Sequence, residues 1–132
     1  MLLRRAKLTD AALQSVTERE LVELHRREAA YRGERPAVDV AGRVAILVDD
    51  GLATGASAKA GLLALRARRP DRVVLAVPVA PRQSLLELSE VADHVVCAAM
   101  PRRFVAVGRH YVDFGQVSDA EVRRLLSAWD AG

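Results

Sequence analysis

The chain has 132 residues, enough for one domain with a modest core, and its 51% apolar and 28% charged residues are those of a soluble globular protein. No apolar stretch approaches the roughly 18–20 residues of a membrane span, and the single cysteine excludes an internal disulfide and a cysteine-rich zinc site. The net charge of +3 is spread over helix faces such as HRREAAYR and RARRPDR, and aromatics make up only 4% of the chain, so a solvated surface is expected and no nucleic-acid partner.

The N-terminal MLLRRAKLTD places charges where a signal peptide needs its apolar stretch, which predicts a cytoplasmic chain. Thr9 to Arg32 reads as a helix. Thr9 is a candidate N-cap, Leu21, Leu24, Glu28 and Tyr31 recur at spacings of three and four, and Gly33 and Pro36 end the pattern. RVAILVDD, Arg43 to Asp50, is short, apolar and β-branched, the pattern of a strand buried on both faces of a parallel sheet. Ala56 to Arg69 is a helix with Ala60, Leu63, Ala64 and Ala67 on its apolar face, stopped by Pro70. RVVLAVPVA, Arg72 to Ala80, is a second buried strand. Pro81 suits the first position of a third helix with Leu85, Leu88 and Val91 on its apolar face.

HVVCAAM, His94 to Met100, is a third strand, in which Cys97 reads as a buried structural thiol. An irregular stretch with Phe104, Tyr111 and Phe114 follows. Ser118 and Glu121 are then spaced as a capping box that opens a last helix, through about Trp129. Strand, helix, strand, helix, strand predicts parallel βαβ units with right-handed crossovers. The expected architecture is a single α/β domain over residues 1–132, a three-layer sandwich around a parallel sheet. Three strands are few for such a sheet.

Chemistry concentrates in VDDGLATGAS, Val48 to Ser57. In open α/β sheets ligands bind beyond the carboxyl ends of strands, which is where Asp49 and Asp50 fall. Gly51, Leu52, Ala53, Thr54, Gly55, Ala56 and Ser57 form the turn into the next helix. Backbone amides of a tight glycine-containing turn at the positive end of a helix make an anion site, and Thr54 and Ser57 add hydroxyls. The stretch is not a P-loop, because Gly55-Ala56-Ser57 carries no lysine, and its glycine spacing is not that of a dinucleotide fingerprint. Carboxylates repel phosphate, so Asp49 and Asp50 are expected to face another part of the ligand. Acidic side chains accept hydrogen bonds from vicinal sugar hydroxyls and hold Mg²⁺ through water. A ribose 5-phosphate satisfies both halves. A polar strand end without a ligand is the plainer reading of the aspartates, and helix capping that of Thr54 and Ser57.

VAILVDDGLATGAS resembles the phosphoribosyl-pyrophosphate loop of the type I phosphoribosyltransferases: an apolar strand, two acids, three residues, then Thr-Gly and small hydroxyl residues. YRGERP, AVPVAP, VCAAMP and FVAVGRHYVDFGQVSDAEV are similar to a bacterial subgroup of that family with no well-defined acceptor. The resemblance implies a transferase that uses phosphoribosyl pyrophosphate and Mg²⁺, with a nitrogen acceptor displacing pyrophosphate. It implies that Asp49 and Asp50 contact the ribose hydroxyls, indirectly through Mg²⁺ in some complexes, and that Gly51 to Ser57 wrap the 5-phosphate. Purine-using members often carry an aspartate where this chain has Ala53, so the usual proton-transfer group is missing here.

The subgroup also has, upstream of the motif, a strand ending in a Pro-Arg-Gly-Gly-like loop that binds pyrophosphate, and none precedes Asp49 in this sequence. The chain therefore reads as the C-terminal part of a longer domain with its N-terminal strands missing. The expected consequences are an exposed apolar edge beside Val44–Val48 and association, as a homodimer or with a chain supplying the missing half. Activity of the isolated chain is expected to be weak or absent. The alternative is a degenerate module that binds ribose phosphates or nucleotides for regulation or assembly. Lys59 and Arg82 read as surface residues that could reach the cleft, and His110 and Tyr111 as packing or anchoring. His25 and His94 receive no role.

Overall fold

The structure, a computed structural model, describes residues 9–130. Residues 1–8, which carry most of the reading against a signal peptide, lie outside the described residues. The chain divides into two compact units, residues 38–115 and a unit joining the described residues before position 38 to those after 115.

The second unit is helical. Helix α1 (Asp10–Arg32) starts as expected, with the Thr9 hydroxyl accepting the Ala12 amide at 3.2 Å, and ends where the Gly33 amide donates to the Ala29 carbonyl. Its expected apolar face is not a core. Leu21 and Leu24 are exposed, and no residue of α1 is buried. The C-terminal helix of the chain (Asp119–Asp130) meets α1 through Asp119, which accepts from Arg26 Nη1 and from the Tyr31 hydroxyl, both at 2.8 Å. Half of the expected capping box forms. Ser118 Oγ accepts the Glu121 amide at 3.2 Å, but the Glu121 carboxylate turns to Arg124 instead of back to Ser118.

Residues 38–115 hold the sheet and the core. Strands β1 (Val44–Val48), β2 (Arg72–Val79) and β3 (His94–Ala99) are parallel in the order β1-β2-β3, joined by α2 (Ala56–Ala67) and α3 (Arg82–Leu88). This is the expected α/β class with a parallel sheet. Alternation along β2 decides the layering. Val73, Leu75, Val77 and Val79 are buried with Leu62 of α2 and Leu85 and Leu88 of α3, so both helices cover one face. Burying each such side chain contributes about 1.5–3 kcal/mol. Of the expected sandwich, these residues build the sheet and one helical layer.

The opposite face corrects the reading of β1 as buried on both sides. β1 is an edge strand of which only Ala45 is buried, while Val44, Ile46 and Val48 are 55%, 60% and 72% exposed. In register with Val48 across Ala76 of β2 stands Val96 of β3, 59% exposed. Cys97, expected to be buried, is half-buried, and its thiol donates to the Ala99 carbonyl.

The buried stripe of α2 also differs from expectation. Ala58 and Leu62 are buried and Leu65 packs against the core, whereas Ala60, Leu63, Ala64 and Ala67 are exposed. Pro81 serves as the N-cap of α3, one position before its expected place. Leu85 and Leu88 are buried as expected, and Val91 packs on the core just past the helix. A fastening at the far end links helix to sheet. Arg66 of α2 pairs with Asp93 at 2.9 Å and donates to the Val91 carbonyl, and Asp93 Oδ2 accepts the Val73 amide at 2.7 Å.

Candidate functional site

β1 delivers two carboxylates to the carboxyl end of the sheet. The Asp49 amide still belongs to the ladder, donating to the Ala76 carbonyl at 3.3 Å. The Asp50 amide turns back onto Asp49 Oδ1 at 2.7 Å. The chain then dives into the core. The Leu52 amide donates to the Val79 carbonyl at 3.0 Å, and the Leu52 side chain is buried. Between them Gly51 has no room for a side chain, since a Cβ would stand 2.6 Å from Val107 Cγ1 and 2.9 Å from Val79 Cγ1. Gly55 takes the left-handed conformation (φ 76°, ψ 7°) that glycine adopts without steric cost, and a Cβ there would meet Leu88 at 3.1 Å.

Two side chains from elsewhere in the chain hold this turn. Ser84, buried on α3, donates its hydroxyl to the Ala53 carbonyl at 2.7 Å. The Tyr111 hydroxyl donates to the Asp50 carbonyl, and its ring packs against Phe114 with centroids 5.0 Å apart. The 3₁₀ turn Val107–His110 thus closes over Gly51 with Val107 and leads directly to Tyr111.

The start of α2 is the other half of the site. Its first intrahelical bond runs from the Lys59 amide to the Gly55 carbonyl at 2.9 Å, so the amides of Ala56, Ser57 and Ala58 have no carbonyl of their own helix to meet. Ala56 makes only a long contact, 3.4 Å, to Thr54 Oγ1. These amides lie at the positive end of the helix dipole, and the hydroxyls of Thr54 and Ser57 are exposed beside them. Asp49 and residues 51–58 line a concavity of about 200 Å³. That is smaller than the roughly 300–1,000 Å³ of sites for drug-sized molecules and is scaled to one polyatomic group.

The carboxylate pair carries the opposite charge on the rim. Loss of hydration, and then the neighbouring Asp49 carboxyl, push the Asp50 carboxyl above its ordinary pKa. Such a pair is relieved by donors or by a cation. Among the described residues no three His, Cys, Asp or Glu side chains gather to enclose a metal. Two adjacent carboxylates suit a hard cation that keeps water and shares substrate oxygens, as Mg²⁺ does.

All nine residues from Asp49 to Ser57 therefore come together at one turn. Lys59 and Arg82 do not line the concavity, and Arg82 borders a different cavity. His110 stacks on Phe104 with centroids 5.4 Å apart, His25 lies 3.4 Å from Glu28 on α1, and His94 starts β3 exposed. Sequence reasoning missed Ser84 and Val107 altogether. It took Tyr111 for an anchor without seeing that what it anchors is the Asp50 peptide.

A model of the phosphoribosyl transferase domain matches residues 2–111. Two proteins of Mycobacterium tuberculosis, "Putative phosphoribosyl transferase MT0597" of strain CDC 1551 / Oshkosh and "Putative phosphoribosyl transferase Rv0571c" of strain ATCC 25618 / H37Rv, are each 45% identical over 123 residues. The aligned part is 93% of this chain and 28% of each of theirs. The crystal structure of TT1426 from Thermus thermophilus matches with a TM-score of 0.75 and 42% identity, over 92% of this chain and 62% of that one. The chain thus spans little more than a quarter of the length of these curated relatives.

Proposed function

The chain belongs to the phosphoribosyl transferase domain family, and on that premise we propose that Asp49 to Ser57 bind the 5-phosphoribosyl group of phosphoribosyl pyrophosphate for transfer to a nitrogen acceptor. One observation carries this reading. A single turn sets an anion-sized concavity, edged by the first amides of α2, beside the adjacent carboxylates of Asp49 and Asp50. A ligand with phosphate at one end and vicinal hydroxyls at the other matches both features, and a simple anion matches only one.

In this reading the amides of Ala56, Ser57 and Ala58 and the hydroxyls of Thr54 and Ser57 donate to the 5-phosphate. Asp49 and Asp50 accept hydrogen bonds from the ribose hydroxyls, which eases their repulsion. As the bond from the anomeric carbon to pyrophosphate breaks and the acceptor nitrogen attacks, positive charge develops on the ribose ring, and the two carboxylates favour it. Asp49 and Asp50 would hold Mg²⁺ through water, and the ion when bound neutralises charge on the leaving pyrophosphate. Ala53 offers no titratable group, so an acceptor proton is not taken up at that position.

Association belongs to the same proposal. β1 is an open edge, and the face carrying Val44, Ile46, Val48 and Val96 is apolar and exposed. A second copy, or a chain contributing flanking strands, would cover it.

Calorimetry with ribose 5-phosphate and with phosphoribosyl pyrophosphate, each with and without Mg²⁺, tests the site. Both ligands are expected to bind, and Asp50→Asn combined with Thr54→Ala to weaken binding at least tenfold. Absence of binding at millimolar ligand overturns the reading. Pyrophosphate release across a panel of nitrogen acceptors then separates a transferase from a regulatory or assembly module that binds without turnover.

A further inference from the structure

Beyond the cradle, a larger cavity of about 710 Å³ opens at the carboxyl ends of β2 and β3, within the size range of sites for small organic molecules. Arg82, Gln83, Met100, Arg102 and Phe104 line it, together with two prolines. We propose that this cavity receives the acceptor and selects a planar nitrogen compound carrying a negative charge. The proposal rests on the ribose-phosphate reading of the cradle for its role and on the cavity's own lining for its selectivity.

Position comes first. Arg82 and Gln83 directly precede Ser84, whose hydroxyl holds the Ala53 carbonyl of the cradle. On the other side, Phe104 stacks on His110, and the next residue, Tyr111, holds the Asp50 carbonyl. The cavity is therefore tied at both walls to the turn that carries the proposed ribose site. Transfer between two substrates requires such adjacency.

Charge and shape then narrow the class. No aspartate or glutamate lines the cavity, and among the described residues neither Arg82 nor Arg102 is engaged in an ion pair or hydrogen bond. Both guanidiniums are exposed. A guanidinium pairs with a carboxylate through two parallel hydrogen bonds and also stacks on flat conjugated groups. Phe104 adds an aromatic face and Met100 a polarizable apolar contact. Two unpaired cations repel a basic acceptor and give a neutral one little advantage. A flat heterocycle or aromatic amine bearing a carboxylate uses every group present.

The test compares matched pairs that differ only in charge. Pyridine-, pyrimidine- and aminobenzene-carboxylates are titrated into the full chain alongside their carboxamides, with acetate as a non-planar anion. At least one carboxylate is expected to bind tenfold or more tightly than its amide, and acetate not to displace it at equal concentration. Arg82→Gln and Arg102→Gln are each expected to cut that preference to threefold or less, with circular dichroism melts confirming the folded state. Equal affinity for every carboxylate and its amide overturns the proposal. So does a preference that survives both substitutions, or displacement by acetate. Ribose 5-phosphate titrated into the same preparation reports on the cradle separately. If it binds while no carboxylate is preferred, only this proposal fails. If a carboxylate is preferred while ribose 5-phosphate does not bind, the cradle reading fails and takes the acceptor role with it, and only the selectivity of the cavity stands.

Discussion

Gly51 and Asp50 are neighbours with opposite demands on the fold. Gly51 is required by space, because Val107 and Val79 occupy the place of any Cβ. Gly51→Ala is expected to destabilise by about 1–3 kcal/mol, as overpacking does, lowering Tm by several degrees and abolishing ribose 5-phosphate binding. Asp50 is the reverse case. Its folded pKa is raised, so its favourable contribution is present only at low pH and is lost as pH rises through the folded value. At neutral pH the ionised carboxylate is a cost, and Asp50→Asn is expected to raise the Tm of the ligand-free chain slightly while weakening ribose 5-phosphate. A lower Tm for that variant would show that Asp50 stabilises the turn. Every residue of this turn was legible in the sequence, because the type and spacing of Asp49 to Ser57 are local properties of one strand, one turn and one helix start.

At the scale of elements, the turn is held by residues that no local pattern announces. Ser84 and Tyr111 lie 31 and 61 residues from the carbonyls they bind. Ser84→Ala leaves the Ala53 carbonyl without its donor, and Tyr111→Phe does the same at Asp50. Each is expected to cost about 1 kcal/mol of stability and to weaken ribose 5-phosphate binding by roughly threefold to tenfold, measured by denaturant melts and calorimetry. The misassigned face of α2 has a similar cause. The helix carries two apolar stripes at helical spacing, Ala60-Leu63-Ala64-Ala67 and Ala58-Leu62-Leu65, and periodicity cannot rank them. Contact does: Gly61 lies beside the second stripe, and Leu47 of β1 packs against its bare backbone, 3.2 Å from where a Cβ would be. The Arg66–Asp93 fastening makes its own prediction. Arg66, and then the Val73 amide, hold the Asp93 carboxyl below its ordinary pKa, so its contribution is present at neutral pH and lost as pH falls through the folded value. Glu23, lowered to about 2 by Arg26 and Arg27, and Asp119, lowered by Arg26 and Tyr31, act in the same direction. The Tm is expected to fall as pH drops below about 4, and Asp93→Asn to lower the neutral Tm and flatten that acid decline.

For the whole molecule, the open sheet face is the dominant physical fact. Val44, Ile46 and Val48 of edge strand β1, and Val96 of β3 across β2 from Val48, are exposed on one face of the sheet, and nothing among the described residues pairs with the free edge of β1. Such a surface favours association. Sedimentation equilibrium is expected to show reversible self-association at micromolar concentration, removed by Ile46→Lys with Val96→Glu while ribose 5-phosphate binding persists. A concentration-independent monomer would rule out the homodimer as the form that covers this face.

The amino-acid sequence by itself determined the strands, the helices and the glycine-containing turn from Asp49 to Ser57, because each rests on near neighbours, and the order of those elements gave the parallel α/β class. The tertiary structure decided which stripe of α2 is buried, which residues brace the turn, and where a second, arginine-lined cavity lies. Those outcomes depend on which surfaces remain after the sheet forms. Hydrophobic patterning can say that a surface is apolar, but only the placement of its neighbours removes it from water.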